Sequence, residues 1–333
     1  MKKIMMVLLI LTFALSLAAC NSGGQTASSK KEAGSGEDNF PNKPITLIVS
    51  YDAGGGTDSG ARVLMPYVEK ELGVAVNVVN KPGGSGWIGW GELARAKPDG
   101  YTIGYINSPN IITGYLDPKF KREENLDSFS MIANHVTDPG VIAIRSDEDR
   151  FSNIKELIEY AKTHKLTATT SGVGSNDHFA ILGLNEEFGT QITPVHTKGA
   201  ADGSTKVMGG HVDIFVAKVG EAVKLHESKQ LKAISVLTKE RSPFLTDVPT
   251  LEESGFDGVS SWSSRGIAAP KGVDEEKIEI ILAALEKGIK NKEQVDKMAN
   301  MGLQVDFKAG NEYMKVLKED EQRVKDQGHL LGW

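Results

Sequence analysis

The stretch ITLIVSYDAGGGTDSGARVLMPYVEKELGVAVNVVNKPGGSGWIGWGELARAKPDGYTIGYIN, residues 45–107, decides the fold class. Ile45 to Ser50 is an apolar, β-rich run of buried-strand length, and Ala53 to Asp58 is a Gly-rich loop. Ser59 to Leu72 then carries the apolar period of a helix, with a bend expected at Pro66. Val74 to Asn80 reads as a second strand, Lys81 to Gly86 as a second Gly-rich loop and Trp87 to Ala96 as a second helix. Pro98-Asp99-Gly100 turns the chain into a third strand, Tyr101 to Asn107. Alternation of this kind predicts a parallel sheet with right-handed crossovers and helices on its faces.

The same alternation extends toward the C-terminus. After an apolar run from Val141 to Arg145 come a helix over Asn153 to Thr163, a strand over Leu166 to Thr170, a loop over Ser171 to Asp177 and a helix over His178 to Phe188. Ser152 reads as the N-cap of the first of these helices, with Glu156 in its first turn. Strands are expected at Ile192 to His196, Val212 to Ala217 and Leu231 to Leu237, and the chain from Asp274 onward is mainly helical. No short repeat is visible, which excludes a solenoid. The length from Phe40 to Trp333 suits two moderate lobes.

The other end of the chain has a different character. Lys2 and Lys3 precede an apolar run from Ile4 to Leu17 that closes on Ala18 and Ala19, the pattern of an export signal. The run falls short of the roughly 20 apolar residues of a membrane span. Leu17-Ala18-Ala19-Cys20 resembles the lipobox of bacterial lipoprotein precursors, which implies a signal peptide over 1–19 and a lipid on Cys20. Residues 20–39 are rich in Ser, Gly, Lys and Glu and offer little to bury, so they read as a disordered tether. Cys20 is the sole cysteine, which leaves no thiol for a disulfide or a Cys-based metal site. With 38 basic and 44 acidic residues the net charge is −6, or −8 without Lys2 and Lys3. That balance, with no basic stretch interleaved with aromatics, argues against a nucleic-acid partner.

The chemistry lies in the loops. Gly54 to Gly56, Gly83 to Gly86, and Gly172 with Gly174 all follow strands and precede helices, where open α/β sheets bind ligands. Backbone N–H groups there, backed by helix N-termini, suit an anion. Gly84 to Gly89 matches the dinucleotide pattern G-x-G-x-x-G, but it follows the second strand and no acidic residue closes the next one. Ser152 to Lys155 imitates S-x-x-K without its companion motifs, and neither G-x-S-x-G nor H-E-x-x-H occurs.

Gly55-Gly56-Thr57-Asp58, Asn80 to Gly86, Pro98 to Thr102, Ser171 to Ser175 with His178, Gly209 to Asp213, Arg241-Ser242-Pro243, Asp247 to Thr250 and Ala269-Pro270 together resemble the substrate-binding proteins of tripartite tricarboxylate transporters, the Bug or TctC family. The resemblance implies an α/β, type II periplasmic-binding-protein-like fold of two lobes, each a mostly parallel sheet flanked by helices. Lobe 1 would comprise 40–142 plus 263–333 and lobe 2 143–262, with crossing strands at Val141 to Ile144 and Gly266 to Ala269. It implies a small organic acid, a di- or tricarboxylate or a related carboxylate, held in the interlobe cleft for delivery to membrane permease subunits. The receptor would be a lipid-anchored monomer on the extracytoplasmic face, without cofactor or metal. Carried over residue by residue, ligand contacts would come from Gly55, Gly56, Thr57, Asp58, Ser85, Gly86, Ser171, Gly174, Ser175 and, at the cleft floor, Asp213. N-capping or loop bracing is the other reading of Asp58 and Asp213. Lys198 and Arg265 are candidate counter-charges. The chain departs from the family pattern at Tyr51-Asp52-Ala53 and at His196-Thr197-Lys198. The alternatives are an exported hydrolase acting on a small acid and a binding partner of a sensor kinase.

Overall fold

A computed structural model describes residues 39–333; the export segment, Cys20 and the tether up to residue 38 lie outside them. Strand β1 (Ile45–Val49), helix α1 (Gly56–Leu72), strand β2 (Val76–Asn80), helix α2 (Trp87–Ala94) and strand β3 (Thr102–Ser108) follow in the expected order. Helix α1 begins at Gly56, inside the Gly-rich loop, and runs as one helix through Pro66. The three strands are parallel, with Thr46 opposite both Asn77 and Thr102.

After the short helix α3 (Asn110–Leu116) comes β4 (Phe129–Arg145), much longer than the run from Val141 that the apolar pattern marks. From Phe129 to Pro139 it pairs antiparallel with β9 (Trp262–Pro270), and β10 (Val305–Ala309) lies along its other edge. From Gly140 to Arg145 it pairs instead with β7 (Ile214–Lys218) and β8 (Leu231–Val236), both antiparallel. Strand β5 (Leu166–Thr170) lies parallel between β6 (Ile192–His196) and β7. The order β2-β1-β3-β9-β4 thus continues as β4-β7-β5-β6. The expected parallel pairing is confined to three strands in each half, and every pairing made by β4 or β9 is antiparallel.

Helices cover both faces. On β1, Leu47 and Val49 pack with Leu64 and Val68 of α1 and with Ile281 and Leu285 of α8 (Glu275–Ile289), while Ile48 points the other way, into Trp90, Leu93 and Leu317 of α10 (Gly310–Asp326). On β4, Ile142 and Ile144 join Leu157 of α4 (Ile154–Thr163) and Ile181 of α5 (Asn176–Phe188). Val141 and Ala143 join Phe215, Val207 of α6 (Ala200–Met208) and Val223 of α7 (Val219–Glu227). Period-two alternation therefore feeds a separate core on each face, with about 1.5–3 kcal/mol for each large apolar side chain withdrawn from water. The cap of α4 is one residue later than expected: Asn153 Oδ1 accepts from Glu156 N at 3.0 Å, and Ser152 instead donates to the Glu156 carboxylate.

The first half of β4 buries Asn134, His135 and Asp138. His135 hydrogen-bonds the Tyr105 hydroxyl through Nδ1 and Gln294 Nε2 through Nε2, the latter at 2.7 Å. Burial first, and Arg265 second, push this imidazole down to about 3 from its ordinary 6.5. Between those values the unfolded chain binds the proton and the native one does not, so this contribution is complete above pH 6.5 and is lost as pH falls toward 3. The urea midpoint is expected to fall between pH 7 and pH 5, at up to about 1.4 kcal/mol per pH unit from this group. His135→Gln is expected to lose less stability over that interval; equal acid sensitivity would place the proton elsewhere.

Candidate functional site

A cavity of about 670 Å³ opens where the carboxyl ends of β1, β3, β5, β6 and β7 converge. Its wall includes the 51–57 loop, Ser171, the 198–202 turn, and the start of α7. Three helices direct their N-termini at it. Neither α1, preceded by Gly55, nor α6, preceded by Gly199, has a side-chain cap. Their first-turn N–H groups lack intrahelical partners and, with the helix dipoles, favour an anion. Helix α7 contributes Gly220 and Glu221.

Of the residues expected from sequence, Gly55, Gly56, Thr57, Ser171 and Lys198 meet on this wall. Thr57 Oγ1 accepts from Asn107 Nδ2 at 2.8 Å, leaving its own O–H available. The Ser171 hydroxyl donates to Asp177 Oδ2 at 2.7 Å and stands 3.3 Å from Lys198's more buried counterpart, Lys218.

The remaining candidates are placed elsewhere. Asp58 accepts from Gly54 N, Arg62 Nε and Asn80 Nδ2, a knot that ties the 51–56 loop down. Burial works against its charge, but the Arg62, Gly54 and Asn80 bonds together hold it below the ordinary carboxylate range. Asp213 is not at the cleft floor. It binds Thr167 N and Oγ1 and Arg150 Nη2, at the opposite end of β5 from Ser171. Ser85 is exposed beside Gly172, and Gly86 sits against the Trp90 ring with φ +101°. Ser175 is fully buried as the cap of α5, accepting from His178 N. Gly174 does not line this cavity; its carbonyl accepts from Thr113 Oγ1 at 2.8 Å, and its φ is +68°.

The strongest charges on the wall are Arg265 and Lys218. Arg265 is 3% exposed; its Nη2 meets Asp138 Oδ2 at 3.1 Å and Glu221 Oε1 at 3.9 Å. Its Nε and Nη1 have no hydrogen-bond partner among the described residues. Buried donors are ordinarily satisfied by protein, water or ligand, so Arg265 is a charged wall residue with unused donor capacity. Lys218 lies 3.0 Å from Asp177 and 3.9 Å from Glu221. Burial disfavours its charge, but Asp177 and Glu221 outweigh that and raise its pKa. Cationic side chains therefore reinforce the backbone dipoles that the Gly-rich loops suggested. Arg265 stood out in the sequence as a candidate counter-charge just before the apolar run Ile267 to Ala269. Lys218, a charge that ends the apolar run Ile214 to Ala217, offered a signal of its own and was missed, as were Asn107 and Glu221. Among the described residues no cluster of three or more His, Cys, Asp or Glu is placed to hold a metal ion.

A receptor model for the tripartite tricarboxylate transporter family matches residues 61–330. The chain belongs to this receptor family. BugT of Bordetella pertussis is 27% identical over 271 residues, 80% of the receptor and 82% of BugT. The periplasmic binding protein BugD is 29% identical with a TM-score of 0.77, covering 87% of the receptor and 99% of BugD. MatC from Rhodopseudomonas palustris, solved with bound malate, is 25% identical with a TM-score of 0.79 and covers 86% of the receptor and 99% of MatC. The receptor accordingly has the two-lobed periplasmic-binding-protein-like fold and is an extracytoplasmic solute-binding protein, not an enzyme. Among its described residues no helix is long and apolar enough to cross a membrane.

Two glycines test this geometry. A Cβ on Gly56 would stand 2.9 Å from Arg265 Nη1, and one on Gly174 would stand 1.9 Å from Thr113 Cγ2. Gly56→Val is expected to lower carboxylate affinity at least tenfold in calorimetry with the fold retained by circular dichroism. Gly174→Val is expected to cost about 1–3 kcal/mol of stability as well, through overpacking and strain, and so to lower the melting temperature. Unchanged affinity in a folded Gly56→Val would move the site away from α1.

Proposed function

We propose that the receptor captures a small dicarboxylate, with one carboxylate at Arg265 and the first turn of α1 and the other at the first turn of α6 beside Lys198. The observation that carries this reading is the pair of unpartnered N–H groups on buried Arg265, a residue of the cavity wall. A carboxylate accepts from a guanidinium in charge-assisted bonds, directly or through one ordered water. The bound malate of MatC supports the same class, at 25% identity. A cavity of about 670 Å³ is within the range of small-molecule sites and leaves room for water around such an acid.

On this reading the two lobes divide where β4 changes partners, between Pro139 and Gly140, and where the chain returns at Ser261, close to the limits 142/143 and 262/263 expected from sequence. Delivery to membrane permease subunits, and anchoring through a lipid on Cys20, complete the proposed role. Cys20→Ser is expected to release the receptor from the membrane fraction without loss of ligand binding. Membrane association that persists after this change would exclude the lipid anchor.

Calorimetry with malate, succinate and adipate tests the site. Arg265→Gln is expected to weaken binding at least a hundredfold, since a buried charge-assisted contact contributes about 1.5–3 kcal/mol and its removal also leaves Asp138 unpaired. Asp213→Asn is expected to bind within twofold of the unaltered receptor. The reverse ranking would refute the placement of the ligand.

A further inference from the structure

Beneath the cavity lies a closed network of charges. Arg265 comes from β9, Asp138 from β4, Lys218 from the end of β7, Glu221 from α7 and Asp177 from α5. Arg265, Asp138, Lys218 and Asp177 are each at most 5% exposed. Two cations thus face three carboxylates, with Arg265 3.1 Å from Asp138 and Lys218 3.0 Å from Asp177, while Glu221 stands 3.9 Å from each cation. Asp138 is the most enclosed of the three carboxylates, with no exposed surface. Its Oδ1 accepts from Gly220 N at 3.2 Å and its Oδ2 from Arg265. Asp177 has a firmer hold, from Ser171 N, Ser171 Oγ and Lys218 Nζ.

We propose that Asp138 is a positioning residue that takes up one proton when an anionic ligand binds at Arg265, so that the receptor captures its ligand together with a proton. This rests on the carboxylate reading given above. With every group ionised the network already holds one excess negative charge, and a ligand carboxylate adds another while drawing on the same guanidinium. Like charges that share one cation in a water-poor site raise each other's affinity for protons. Asp138 is the carboxylate with no exposed surface and two donors, and burial first raises it to about 6, against the lowering by Arg265, with Glu221 raising it further. The step forms one O–H bond on the Asp138 carboxylate with a proton from solvent, and no other bond changes. Tyr51, Asp52, Lys198, Asp202 and Lys224 also line the wall, and three histidines lie near it: His178 and His196, whose rings are 4.9 Å apart, and His135, which hydrogen-bonds Tyr105 and Gln294. Burial lowers all three, His178 to about 4 with His196 adding to the effect.

Calorimetry at pH 7.5 in two buffers of different ionisation enthalpy, with malate, succinate and adipate, counts the protons. Net uptake approaching one proton is expected, and the Kd is expected to rise about three- to tenfold from pH 6.5 to 7.5. Asp138→Asn retains an acceptor for Gly220 N but takes the carboxylate from Arg265, so its affinity is expected to change; the binding that remains is expected to show no uptake and no such pH dependence. Binding without uptake in the unaltered receptor would overturn the proposal, and so would uptake that survives in Asp138→Asn, since the proton would then reside on a histidine or Glu221. No binding heat with any of the three acids would overturn the carboxylate reading and this inference with it. If Asp138→Asn does not fold, the Asp-selective carbon-13 titration of the unaltered receptor decides. Malate must move the buried aspartate resonance to a higher midpoint, and an unmoved midpoint refutes the proposal.

Discussion

The ion pair between Arg265 and Asp138 is the constraint on which the site depends. A guanidinium withdrawn from water is tolerated only with a carboxylate beside it, and Asp138 can be that partner because β4 and β9 pair antiparallel up to Pro139 and Trp262. The same carboxylate accepts from Gly220 N, at the start of α7. One aspartate therefore joins the sheet that carries α1 to the helix that carries Glu221. Apolar burial holds each half together, and the contacts of Asp138 with Gly220 N and of Arg265 with Glu221 run from one half to the other.

Much of the fold was legible. The βαβαβ order, the second alternating block and the cleft at the strand ends follow from apolar period, glycine placement and the rule that parallel sheets bind ligands at their carboxyl ends. What escaped was the half of β4 containing Asn134, His135 and Asp138. Those side chains break the apolar run, and a local pattern has no means of showing that each is buried against a specific partner. Strand β10, short and half-buried, is hidden for a related reason: it is a strand because β4 offers it an edge.

Legibility of the site was narrower. Gly-rich loops marked the 54–57 and 171 segments, which line the cavity, yet the same signal carried Gly86 and Gly174, which pack against Trp90 and Thr113 at positive φ. Asp58 and Asp213 stand in motifs because they brace loops, through Arg62 with Asn80 and through Thr167 with Arg150. Sequence patterns register that a residue type is required at a position, and bracing and binding require similar residues. Lys218 and Asn107 reach the cavity through tertiary placement, which spacing along the chain does not encode.

The uncapped starts of α1 and α6 carry one more consequence. Ser, Thr, Asp or Asn at an N-cap typically stabilises a helix by about 1 kcal/mol relative to Ala, and glycine, which has no side chain to make that bond, stands only a few tenths of a kcal/mol below them. Both helices thus begin without a side-chain cap. On the proposed reading, a ligand carboxylate that accepts from their first-turn amides would act as the cap that the sequence withholds. Part of what such a receptor gains from its cargo would then be the finishing of its own secondary structure.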